Sequence, residues 1–110
     1  MNIGAPTIGA MRERFTLEQP VRTADGGGGA SIAWETVAEV WAAARPITGD
    51  ERLRHDQLSG RLTHEVWIRY RAGVLPAMRF RQGTRIYDIV AVVEAKRRAR
   101  LKCLCEERTL

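Results

Sequence analysis

Val37–Glu51, VAEVWAAARPITGDE, decides the architecture: an apolar run carrying Trp41 meets Arg45-Pro46, then a turn and an acidic helix start. Val40, Ala42 and Ala44 share one parity, and Glu39, Trp41, Ala43 and Arg45 take the other, as in a strand with one face toward a core. Trp34, Val37, Val40 and Trp41 also fit helical spacing. The β-branched and aromatic content, the glycines upstream and Pro46 downstream favour a long or bent strand from Ser31 to Ala44. Beyond it, Thr48-Gly49-Asp50-Glu51 offers an N-cap and early negative charge, which predicts a short α-helix from about Asp50 to Leu58, stopped at Ser59-Gly60.

Working outward, residues 1–10 have no period and read as a flexible N-terminal arm. Met11 to Gln19 alternates, with Phe15 and Leu17 on one face and Arg12, Arg14, Thr16 and Glu18 on the other. The segment TADGGGG, with Asp25 followed by Gly26, Gly27, Gly28 and Gly29, is costly to order and predicts a mobile hairpin tip. It lacks the Gly-Lys-Ser/Thr ending of a phosphate loop. Downstream, Thr63 to Arg71, Ala77 to Gln82, Arg85 to Val93 and Arg98 to Glu107 read as further strands. Val66, Ile68 and Tyr70 share a face in the first of these, and Leu101, Cys103 and Cys105 face inward in the last. RIYDIVAVV is apolar on both parities, which predicts cover on both sides. The expectation is a mainly β chain: a small antiparallel β-barrel of about six strands with one short inserted α-helix, forming a single domain over residues 1–110.

A chain of 110 residues buries roughly two-thirds of its unfolded surface and needs no staples. The formal charge of +5 comes from arginine, since only Lys96 and Lys102 are lysines. Arginine suits protein interfaces as well as phosphate, and an arginine-favouring genome would give the same composition. Cys103 and Cys105 match no zinc spacing and read as small buried hydrophobes in a reducing compartment, so neither a metal nor another cofactor is expected. No run reaches the roughly 18 apolar residues of a membrane span, and residues 1–14 lack the pattern of an export signal.

Groups with catalytic chemistry concentrate only at Asp50, Glu51, His55, Asp56 and Ser59, where a solvated Glu51–His55 pair is the simpler reading, and no enzyme is expected. A second concentration is Arg69, Arg71, Arg79, Arg81 and Arg85, which adjacent strands would bring onto one outer face. That stripe fits a solvated exterior, a protein interface, or an OB-like nucleic-acid-binding module, although only Trp67 has the parity to stack bases among the charges. Trp41 and Trp67 both fall on the non-core parity, either as interface anchors or as residues covered by the inserted helix.

The ordered set Arg14-Phe15, Asp25-Gly26-Gly27, Trp34, Val40-Trp41-Ala42, Pro46 with Gly49 and Glu51, His64, Ile68-Arg69-Tyr70-Arg71, Arg79-Phe80, Gly83, Tyr87 with Ile89, and Leu101 with Cys103 resembles the phage head-tail joining family. These are the head-closure or stopper proteins of long-tailed phages and gene transfer agents. The resemblance implies a non-enzymatic virion protein, assembled in the bacterial cytoplasm, that forms a homo-oligomeric ring, a hexamer or dodecamer. It implies a portal-bound adaptor above, a tail terminator or tail tube protein below, and packaged double-stranded DNA in the channel that the ring closes. It places a channel gate in the insertion 47–62, with Thr48, Asp50, Glu51, Arg52, Arg54, His55, Asp56 and Arg61 as candidates. Trp41, Arg45, Trp67, Arg69, Arg71, Arg79 and Arg81 are then candidate interface residues, and Asp25 with Gly26–Gly29 a candidate docking loop.

Overall fold

The computed structural model describes residues 6–48, 62–95, 97 and 99–109. A short 3-10 turn at Ile8–Ala10 precedes β1 (Glu13–Ala24), followed by β2 (Ala30–Pro46), β3 (His64–Arg69), β4 (Arg79–Gln82), β5 (Arg85–Ala95) and β6 (Arg100–Thr109). All neighbours are antiparallel, and the order β1-β2-β3-β6-β5-β4 closes on itself as a barrel. The expected helix from Asp50 to Leu58 lies outside the described residues.

The barrel fills with the inward parities anticipated from alternation, Phe15 and Leu17, Ala42, Val66 and Ile68, Met78 and Phe80, and Leu101, Cys103 and Cys105, joined in one buried cluster by Tyr87 and Ile89 of β5. At its centre the Phe15 ring stacks on Tyr87 at 5.2 Å and lies tilted against Phe80 at 5.9 Å. Closing the sheet leaves these side chains no solvated face, so each apolar group there contributes the full transfer energy of its burial.

Both apolar parities of β5 have a local cause. A bulge between Ile89 and Ala91 inserts Val90, so Ile89 and Val92 pack on the interior cluster while Val90 and Ala91 pack outside with Ile47, Leu62 and Leu104. This second cluster caps the outer wall where the insertion leaves and rejoins the barrel.

β1 continues through Pro20, past the expected end at Gln19. Pairing with β4 covers only Thr16 to Glu18, so beyond that point β1 has a neighbour on one side only, where proline is tolerated. From Gln19–Ala24 and Ala30–Glu35 the strands pair only with each other and leave the barrel as a two-stranded arm about 20 Å long. The arm accounts for the elongated shape, 53 × 28 × 26 Å.

Candidate interface surfaces

Four strands place a basic and aromatic row on the outer wall. Arg14 on β1 lies opposite Trp41 on β2, and Arg69 on β3 lies opposite Arg100 on β6. Pairing of β2 with β3 ends at Ala42 opposite Ile68, which brings Trp41 and Arg69 next in line, and both line the same clefts. Trp41 is 53% exposed, with the Arg14 guanidinium 5.3 Å from its ring centroid. Arg14 also pairs with Glu39 at 3.1 Å. The outward position expected for Trp41 is the one observed, and truncating it to alanine is expected to cost the monomer less than about 1 kcal/mol, checked by urea denaturation.

Trp67 is not the exposed anchor that one of its two readings expects. It points out of the barrel, yet it is 4% exposed, its indole N–H donating to Glu65 Oε1 at 3.0 Å. Arg45 Nε donates to the same oxygen at 3.0 Å, and Arg45 and Lys102 flank the ring. A buried carboxylate shared by an indole and a guanidinium holds Trp67 and Arg45 in place, so Trp67 is a structural side chain and not an exposed anchor.

The arginine stripe does not form. It assumed that β3 and β4 were neighbours, but β3 lies between β2 and β6, and β4 between β1 and β5, so Arg69 and Arg71 are separated from Arg79, Arg81 and Arg85. Arg79 is 6% exposed, donating from Nε to Glu18 Oε1 at 2.7 Å, with its guanidinium 3.9 Å from the Trp34 ring centroid. Trp34 belongs to the arm and Arg79 to the barrel, so this contact braces the arm's root. Arg81 bonds the Gly83 carbonyl and lies 3.7 Å from Glu18, and Arg85 donates to Glu107 at 2.6 Å.

At the arm's tip Asp25 organises what composition alone reads as mobile. Its Oδ1 accepts from the backbone N–H groups of Gly27 and Gly29 at 2.9 and 3.2 Å. Gly26 and Gly28 sit at φ of 81° and 86°, a region that L side chains rarely adopt. The candidate docking loop is thus a shaped turn.

Of the candidate gate residues, Thr48 is described, whereas Asp50, Glu51, Arg52, Arg54, His55, Asp56 and Arg61 lie outside the described residues. The base of the insertion is defined: Pro46 pairs with His64, and Ile47 N–H donates to the Thr63 carbonyl at 2.9 Å. Beside it, His64 meets the Tyr87 ring edge-on, and Glu107 lies within 3.8 Å of His64 Nδ1. The Arg85 hydrogen bond is the main cause holding the Glu107 carboxyl below its ordinary pKa of 4.5. Because the unfolded chain takes up that proton first on acidification, this stability is present above pH 4.5 and is lost as pH falls through the lower folded value. The urea midpoint of the wild type should therefore fall more steeply below that point than that of Glu107→Gln.

Burial alone raises the Cys103 thiol to about 12, and Cys105 is raised chiefly by burial. Their reaction with a disulfide reagent should run at least about 100-fold slower in the native chain than in denaturant. No cluster of possible metal ligands occurs among the described residues, and no helix there is long and apolar enough to cross a membrane.

Glu18 and Glu65 occupy the outward parity of their strands, which carries no sign in the sequence that both are buried. Comparison with known proteins gives a consistent picture. Residues 6–108 match the family described as phage head completion protein. The solution structure of protein SF1141 from Shigella flexneri 2a is similar at 27% identity and a TM-score of 0.76, over 93% of this chain and 96% of that one. A chain from the virion of a native gene transfer agent particle is similar at 30% identity and a TM-score of 0.58, over 90% of this chain and 96% of that one. A search of curated proteins returns no match.

Proposed function

Because the chain belongs to the phage head completion protein family, we propose that this virion structural protein forms a ring between the portal-bound adaptor and the tail, closing the DNA exit channel after packaging. Its structural role in the head and its virion location follow from the family. The observation that carries it is the 30% identity, over 90% of this chain, with a chain solved within a gene transfer agent virion.

The architecture supports a ring on physical grounds. A ring needs head-to-tail contacts between unlike surfaces of successive copies, and a rigid barrel with a projecting arm offers them. Beyond the β1–β4 pairing the arm leaves strand edges unpaired and exposes Val21 and Ile32, the kind of surface that another chain covers. In this reading a hexameric or dodecameric ring presents the Asp25–Gly29 turn to a neighbour and turns the 47–62 insertion toward the channel and its DNA. A tail terminator or tail tube protein then docks below.

The nucleic-acid-module alternative has lost its surface, since the arginines it relied on are divided between opposite walls of the barrel. Mixed with a portal-adaptor assembly, the purified chain is expected to add a ring of density at its distal face in electron micrographs. Assemblies left unchanged by excess chain would remove the ring reading.

A further inference from the structure

We propose that the Trp41 face of the barrel docks a carboxylate-rich protein segment carrying an apolar side chain, one that belongs to another virion protein. The inference rests on the connector reading only for where that segment comes from.

Arg69 and Arg100 are directly opposite across β3 and β6, and like charges in that position repel. Neither has a carboxylate partner among the described residues; Arg100 donates only to the Ala99 carbonyl from Nη1. The Nε atoms of Arg100 and of the nearby Arg71 are shut off from water and have no hydrogen-bond partner. Arg12, an exposed residue, donates its Nε to the Gly9 carbonyl. Of the carboxylates close by, Glu39 is engaged by Arg14, and Glu94 lines an adjoining cleft with Arg71. Guanidinium groups held together without matching carboxylates form a site for an anionic partner.

The apolar component decides between kinds of anion. The cleft of about 500 Å³ lined by Gly9, Met11, Arg12, Trp41 and Arg69 has a mostly apolar wall, and a second cleft that shares Trp41 and Arg69 is lined by Tyr70. Tyr70 and Leu75 are also exposed at this end, at 43% and 60%. A duplex backbone would meet the arginines but offers nothing to cover an exposed indole and a methionine-floored cleft. An acidic peptide with a Leu or Phe anchor satisfies both, and an aromatic ringed by arginines is the composition of an interface hot spot.

The test is fluorescence anisotropy on the full chain, using labelled twelve-residue peptides that alternate Asp or Glu with Leu or Phe. Matched probes are acidic peptides with Gly in place of the apolar residues, and a labelled DNA duplex. The expected result is binding by the acidic-apolar peptides, weakened at least tenfold in Trp41→Ala and in Arg69→Gln/Arg100→Gln, and at least tenfold weaker for the acidic-Gly peptides. Unchanged urea midpoints in both variants would show that the loss belongs to the surface. Duplex binding as tight as that of the peptides would overturn the proposal in favour of DNA. Self-association lost in Trp41→Ala without peptide binding would overturn it in favour of a second copy, and no peptide binding at all would overturn it outright. Ring assembly on the portal-adaptor complex is scored separately, so either reading can fail alone.

Discussion

Arg79→Ala is expected to destabilise the folded chain by about 3 kcal/mol, although sequence alone would class Arg79 as a surface arginine. Glu18 and Arg79 are 5% and 6% exposed, and removing the guanidinium leaves the Glu18 carboxylate buried with only the half-exposed Arg81 at 3.7 Å. The cost is that of an uncompensated buried charge, not the net worth of the pair. For that reason Glu18→Leu/Arg79→Met should recover to within about 1 kcal/mol of the wild type, since replacing both partners removes both desolvation penalties. Urea denaturation of the single and double variants completes the cycle. A second consequence is local: without the Arg79–Trp34 contact, amides of 19–24 and 30–35 should exchange faster with solvent while the barrel core stays protected. A single-variant cost below about 1 kcal/mol would mean that water reaches Glu18 and that the brace is dispensable.

The second large effect concerns the insertion. Deleting residues 49–61 and joining Thr48 to Leu62 through a short turn is expected to leave the barrel folded. The flanking backbone is already in register, through Pro46 opposite His64 and the Ile47–Thr63 hydrogen bond. Retaining Ile47 and Leu62 also keeps the outer cluster with Leu104. Particles carrying the deletion should assemble and then lose at least about nine-tenths of their DNA, as an open channel lets the packaged genome escape. DNA content measured by quantitative PCR after nuclease treatment gives the readout. Retention equal to the parent would place the closing element elsewhere in the ring.

The barrel was legible in the residues because alternation reports which side of each strand faces the interior. Val40, Ala42 and Ala44, Val66 and Ile68, and Met78 and Phe80 all face the interior as their parity requires, whereas Tyr70, of the same parity as Val66 and Ile68, falls past the end of β3 and is exposed. Strand order was not legible, and the misplaced expectations trace to it. Adjacency in sequence suggests a β3–β4 pairing and with it an arginine stripe, which the observed order divides. The same order buries Glu18 beneath Arg79 and Trp34, three residues on three strands that no short-range pattern connects. Trp67 shows a different limit: its parity was read correctly as outward, but parity cannot reveal that Arg45, Glu65 and Lys102 enclose it there. The arm was missed because Pro20 reads as a strand end, and it is allowed only because that edge has no partner. Among candidate interface residues, Trp41 and Arg69 fall together on one surface, while Arg79 and Trp67 serve the fold.

The most direct test of the head-tail connector account is the fraction of DNA-filled heads that bear tails in particles from cells lacking this chain, scored by electron microscopy. The account predicts tailless, largely emptied heads, with DNA-filled tailed particles recovered when the chain is supplied during assembly. Tailed, DNA-filled particles at the parental frequency in its absence would contradict it.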